Sequence, residues 1–298
     1  MKRIVSISLG SSNRDHQVVT HFAGEEVSIK RIGTDGNVQM LRQHLQELDG
    51  KVDAFGLGGT DLYIYAGDKQ YTFKESKKLL QIVKKTPIVD GSGLKNTLEE
   101  KVIYKLQDNK VINFQNLSVL LVCGVDRFGM ARGLAKLSKK IVFGDLLYGL
   151  SIPIPIHHLT VLNFAAKLIL PIITQVPIRY LYPTGKAQEQ INPHYTKYFF
   201  DADVIAGDFH IIKRNLPPKL EGKIIITNTV TKEDEFFLRT LGVKLLITTT
   251  PLLEGRSFGT NVIEAVLVAL ANKGGALIQN DYEWLIQKYG LKPRIQFF

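Results

Sequence analysis

A chain of 298 residues with 45% hydrophobic and 22% charged residues has room for two domains and the make-up of a globular protein. Its one cysteine, Cys123, rules out a disulfide framework and a cysteine-rich metal site, and no metal centre is expected. The net charge of +10 favours an anionic small-molecule partner. The basic residues are nonetheless scattered in pairs such as Lys77-Lys78 and Lys139-Lys140, with no aromatic–basic stripe, so no specific nucleic acid partner is expected.

The first residues, MKRIVSISLG, read directly as a strand, and no leader peptide is expected. Together with the single cysteine this points to the cytoplasm. Strands are expected at 18–22 and 27–32, a helix over Val38–Leu48, and a strand at 52–57 that ends in Gly58-Gly59-Thr60-Asp61. A hairpin turns at 66–69, a helix covers 75–85, and a strand at 86–89 leads into Asp90-Gly91-Ser92-Gly93-Leu94-Lys95. A further helix runs to about Leu106, and the polar residues after it form the joint between two domains. Residues 1–108 read as an α/β substrate-binding domain and 109–298 as a Rossmann-like one, with C-terminal helices free to pack back on the first.

In the second half, apolar runs at 119–123, 141–143, 203–206, 224–227 and 244–248 alternate with helical stretches, the pattern of a doubly wound parallel sheet. Such sheets bind ligands beyond the C-terminal ends of their strands. Those ends carry Gly124 to Gly129, Asp145, Gly207-Asp208, Asn228-Thr229 and Thr248-Thr249-Thr250. Residues 151–183 are apolar and punctuated by prolines; they suit a helical cover on the sheet, a homodimer interface or contact with a membrane surface. No uninterrupted apolar run reaches the roughly 18 residues of a spanning helix.

Residues 117–145 follow the plan of a mononucleotide-binding unit: strand, glycine turn, helix, and a second strand ending in an acid. Gly124, Arg127, Phe128 and Gly129 would cradle a phosphate at the helix N-terminus, and Asp145 would accept from a ribose diol. Asn228 and Thr249, at other strand ends, complete the cofactor rim. The carboxylate of Asp145 favours NAD over NADP. Asp126 stands where the fingerprint has its second glycine, and Arg127 partly offsets its charge. An ordinary crossover whose glycines serve chain reversal is the alternative.

The stretches SISLGSS, GLGGTDLY, VDGSGLK, DRFGMA, YPTG, AGDFH and TTTPLLEGRSFGTNV resemble bacterial quinate 5-dehydrogenase-like proteins of the shikimate/quinate dehydrogenase superfamily, over nearly the whole chain. The resemblance implies an NAD-dependent oxidoreductase moving a hydride between the cofactor and a polyhydroxy acid. Asp90, in VDGSG, resembles part of that superfamily's catalytic aspartate motif. The lysine motif has no clear counterpart, and Lys95 is its substitute as general base beside Asp90. The resemblance further implies that Ser6, Ser8, Thr60, Asp61 and Asn261 bind hydroxyls and that Arg256 binds a carboxylate. The competing reading is a non-redox protein of the same architecture that binds a phosphorylated or carboxylated metabolite, a transferase being one form of it, with Arg127, Lys186 and Arg256 as anion clamps. Among the histidines, His210 at the sheet rim is the best functional candidate.

Overall fold

The computed structural model describes residues 1–67, 69–177, 191–253, 256–273 and 277–298. Lys186, one of the expected anion clamps, therefore lies outside the described residues. The chain divides into two compact units, one of Met1–Leu94, Ile169–Gln188 and Phe258–Leu291, the other of Lys95–Leu168, Glu189–Ser257 and Lys292–Phe298.

The first unit is built on β1 (Lys2–Ser8), β2 (His16–Phe22), β3 (Glu25–Gly33), β4 (Ala54–Gly58), a separate hairpin of β5 (Tyr63–Ala66) with β6 (Lys69–Thr72), and β7 (Ile88–Val89). The main sheet has the order β2-β3-β1-β4-β7. β1 pairs in parallel with β3 and β4, β4 in parallel with β7, and only β2 is antiparallel. β1 is central because both its faces are covered: Ile4, Val5, Ser6 and Ile7 are all buried. The β2–β3 hairpin closes through Ala23 and Gly24, both at positive φ (51° and 89°), as a two-residue hairpin turn requires. On one face Val5, Ile7, Leu9, Phe55 and Leu57 form a core with Leu41 and Leu45 of the helix Val38–Leu48 and Leu79 of the helix Lys74–Ile82. Asn37 caps the first of these, its Oδ1 accepting from the amides of Gln39 and Met40. The helix Thr260–Ala271 packs against β1, β4 and β7.

The second unit holds β8 (Ser118–Leu121), β9 (Lys140–Phe143), β10 (Val204–Gly207), β11 (Ile224–Thr227), β12 (Leu245–Thr248), the short pair β13 (Leu252–Leu253) and β14 (Arg256–Ser257), and β15 (Arg294–Phe297). The six-stranded sheet runs β15-β12-β11-β10-β8-β9, with β15 antiparallel to β12 and the other pairs parallel. Its core gathers Leu120, Ile205, Ile225 and Leu246 with Phe199, Phe209 and Leu238.

This order corrects the Rossmann-like assignment. In the dinucleotide-binding fold two strands lie beyond the first one on the same side, in the order 3-2-1-4-5-6. Here β9 alone lies beyond β8, which gives the 2-1-3-4-5 arrangement with an antiparallel edge added. The strands β3-β1-β4-β7 of the first unit repeat that order, again beside an antiparallel edge strand.

Candidate functional site

In the first unit the direction of winding changes between β1 and β4, so their C-terminal ends border the crevice where such sheets bind ligands. Ser6 and Ser8 alternate with Val5 and Ile7 along β1, which turns both hydroxyls away from the core those valine and isoleucine side chains fill. Asn261, at the start of the helix Thr260–Ala271, donates from Nδ2 to Ser6 Oγ over 3.1 Å. Ser8 Oγ accepts from the amide of Gly10 at 3.0 Å. The backbone allows this approach only because it lacks side chains there. A Cβ on Gly56 would sit 2.8 Å from Asn261 O, and one on Gly91 (φ +96°) 2.9 Å from Asn261 N. Thr60 and Asp61, just past β4, are buried, and the backbone oxygen of Asp61 accepts from Ser76 Oγ. Thr60 Oγ1 and Thr260 Oγ1 are both buried with no hydrogen-bond partner. The rim thus brings Ser6, Ser8 and Asn261 together as a neutral hydroxyl–amide surface.

Asp90 ends β7 at the same rim. Its carboxylate accepts from the amides of Leu62 (2.6 Å), Tyr63 (3.0 Å) and Ser92 (2.9 Å), so it ties the backbone at Leu62–Tyr63 to its own turn. Beyond it Glu264 accepts from the Gly93 amide at 3.2 Å and, in a short contact, from the Tyr282 hydroxyl. Burial and then the charge of Asp90 push the Glu264 carboxyl up to about 8. Burial, with Asp90 and Glu264 adding to it, takes the Tyr65 phenol up to about 12. Glu264 was not singled out in the sequence, although a lone carboxylate inside the apolar run VIEAVLVALA marks it.

The corresponding crevice of the second unit, between β8 and β10, is filled by the chain's own charges. Arg127 is buried and pairs with Glu99 in a short contact and with Asp208 Oδ2 at 2.9 Å. Burial pushes Glu99 up to about 7 despite Arg127. Burial acts on Asp208 in the same sense, but there Arg127 prevails and holds the carboxyl below its ordinary range. Lys95, the expected base, forms an ion pair with Asp126 at 2.6 Å. Asn228 accepts the Phe209 amide and donates to Asp208, and the Thr249 amide donates to Thr227 O. His210 donates its amide to the Asp208 carboxylate, which caps the helix Phe209–Arg214. Arg256 lies on β14, and its side chain is outside the described residues, as is all of Lys186.

The turn expected to hold NAD does not fit it. The Asp145 carboxylate accepts the amides of Gly124 (2.9 Å) and Val125 (2.8 Å), so the intended ribose acceptor has captured the intended phosphate donors. Burial pushes Asp145 up to about 6, against the pull of those two amides. Phe128 is buried, and Gly129 serves packing: a Cβ there would lie 2.6 Å from Lys95 O. A Cβ on Gly124 would meet Leu162 at 2.8 Å. The anion clamp proposed for Arg127 fails for a similar reason, since its charge is spent on Glu99 and Asp208. Among the described residues no cluster of His, Cys, Asp and Glu is suited to a metal ion.

Among curated proteins none matches the chain. Solved structures with a similar fold include GanP, a glucose-galactose binding protein from Geobacillus stearothermophilus (TM-score 0.40, 10% identity, 99% of this chain and 97% of that one). A galactofuranose binding protein gives a TM-score of 0.37 at 9% identity, over 98% of this chain and 99% of that one. The periplasmic binding protein component of the arabinose ABC transporter from Shewanella sp. ANA-3 gives 0.37 at 8% identity, over 96% and 95%. The expectation of an NAD-dependent oxidoreductase of the quinate/shikimate type, with the enzyme assignment that rested on it, is corrected by the turn itself, where Asp145 holds the amides meant for the cofactor phosphate. The expected cytoplasmic location finds no support in these neighbours, one of which is a periplasmic binding protein component. A family model described as Domain of unknown function (DUF8753) matches residues 3–90. A second, described as Domain of unknown function (DUF8754), matches residues 93–298, more than half of the chain, and the chain belongs to that family.

Proposed function

We propose that the protein is a non-catalytic binder of a small, neutral, polyhydroxylated molecule, held at the C-terminal rim of the first unit's sheet. The carrying observation is the pair of buried hydroxyls, Thr60 Oγ1 and Thr260 Oγ1, left without partners at a rim already lined by Ser6, Ser8 and Asn261. A buried hydroxyl without a partner costs about 1–3 kcal/mol, which a ligand hydroxyl seated there would recover. Uncharged donors and acceptors suit sugar-like hydroxyls, and each can both donate and accept. Asp90 is saturated by backbone amides and Glu264 carries its proton at neutral pH, so neither is poised to attack or to abstract a proton.

Isothermal titration against D-glucose, D-galactose and L-arabinose, with quinate as an anionic polyol control, tests this reading. A neutral sugar binds and quinate does not. Asn261→Ala weakens binding by about tenfold or more, equal to about 1.4 kcal/mol, and Thr60→Val does the same. Both variants keep the far-UV circular dichroism of the parent. Absence of binding heat with every neutral sugar, or preference for quinate, overturns the proposal.

A further inference from the structure

We infer that the exposed face of the helix Leu159–Ile173 rests on an anionic lipid surface. The helix buries Leu162, Ala166 and Leu170, one residue per turn, and this stripe fixes it to the protein. The opposite face is apolar as well. Val161, Phe164, Leu168 and Ile172 recur at helical spacing, with Phe164 65% and Ile172 70% exposed. Ile152 and Ile154, just before the helix, are also exposed. A run of large exposed aliphatic and aromatic side chains on one helix face marks an interaction surface, unlike single exposed apolar residues.

Charge decides what covers it. No aspartate or glutamate occurs between Asp145 and Glu189, whereas Lys167 stands on the exposed side of the helix and the whole chain carries +10. A second copy is the poorer occupant. An antiparallel pairing about a two-fold axis near mid-helix would bring Lys167 toward its own copy, and neither helix offers a carboxylate to neutralise it. An anionic bilayer offers apolar depth for Phe164 and Leu168 and negative headgroups for Lys167 and the net positive charge. Among the described residues no helix is long and apolar enough to cross a membrane, so the contact is one of lying on the surface.

The test is co-sedimentation of the whole protein with phosphatidylcholine vesicles made with and without phosphatidylserine, at low and high salt, alongside sedimentation equilibrium without vesicles. The protein pellets with the phosphatidylserine vesicles, less with phosphatidylcholine alone, and less again in high salt. The double variant Phe164→Ser, Leu168→Ser loses at least about tenfold in partitioning while its circular dichroism and thermal midpoint stay close to the parent, because both side chains are exposed. Lys167→Glu weakens binding to the anionic vesicles alone. Failure to pellet with phosphatidylserine vesicles at low salt overturns the inference. So does equal binding to both compositions, or a dimer that the double variant dissolves while vesicle binding is unchanged. Sugar titration of the same variants separates a loss at this surface from a loss at the proposed ligand rim.

Discussion

Glu264 shows how far one side chain's chemistry depends on its neighbours. Burial and then the nearby Asp90 charge leave it neutral at pH 7, its carboxyl pushed up to about 8 from an ordinary 4.5 against the pull of the Tyr282 hydroxyl. The folded chain therefore holds a proton that the unfolded chain has released. Stability from this group is complete below about pH 4.5, falls as the pH rises toward 8, and levels off above that. Glu99, raised to about 7, adds a slope of the same sign at lower pH. Between about pH 7 and pH 8 Glu264 contributes more of the slope than Glu99, which is by then largely ionised. Urea midpoints measured across this interval should fall in the parent and fall less in Glu264→Gln. An equal fall in both would show that Glu264 is already ionised. The sequence displays the carboxylate within an apolar helix, but its partner Gly93 lies 171 residues away. Arg127 is similar: in a glycine turn it reads as an anion clamp until Glu99 and Asp208, 28 and 81 residues distant, are seen against it.

At the scale of elements, apolar content located the strands and polar spacing misled about their use. β8 to β12 fall within a few residues of their expected positions, because strands buried on both faces are continuous apolar runs. β15 was not anticipated: its residues alternate between half-buried and exposed, and pairing with β12 defines it. The spacing from Gly124 to Asp145 is that of a dinucleotide site, but spacing carries no direction. Here the carboxylate folds inward and closes the turn with two backbone hydrogen bonds. This gives a test that separates a structural cap from a ligand contact. Asp145→Asn keeps one acceptor oxygen toward two amides, and should lower stability by about 1–3 kcal/mol in guanidinium titration, with sugar binding unchanged. A residue waiting at an open rim for a ribose would give almost no loss. Unchanged stability would therefore mean that the turn does not depend on Asp145.

At the scale of the molecule, chain continuity and structural unit do not coincide. The family model that matches residues 3–90 stops before the first unit is complete, because that unit also takes Ile169–Gln188 and Phe258–Leu291. The missing piece is not decoration. The helix Thr260–Ala271 buries Val262, Ile263, Val266 and Leu267 and packs on β1, β4 and β7, and Asn261 reaches Ser6. A fragment of residues 1–94 would expose one face of its sheet, with Gly56 and Gly91 offering bare backbone where the helix belongs. Losing several buried aliphatic side chains, each worth about 1.5–3 kcal/mol, is comparable to the whole stability of a typical domain. The fragment should therefore show poorly dispersed amide resonances and no cooperative thermal transition. Joining residues 169–188 and 258–291 to it through flexible linkers should restore both, and should restore sugar binding if the rim is the ligand site. A cooperatively folded 1–94 fragment would instead show that the helix is dispensable, and Asn261 would then lose its claim to be part of the unit's permanent rim.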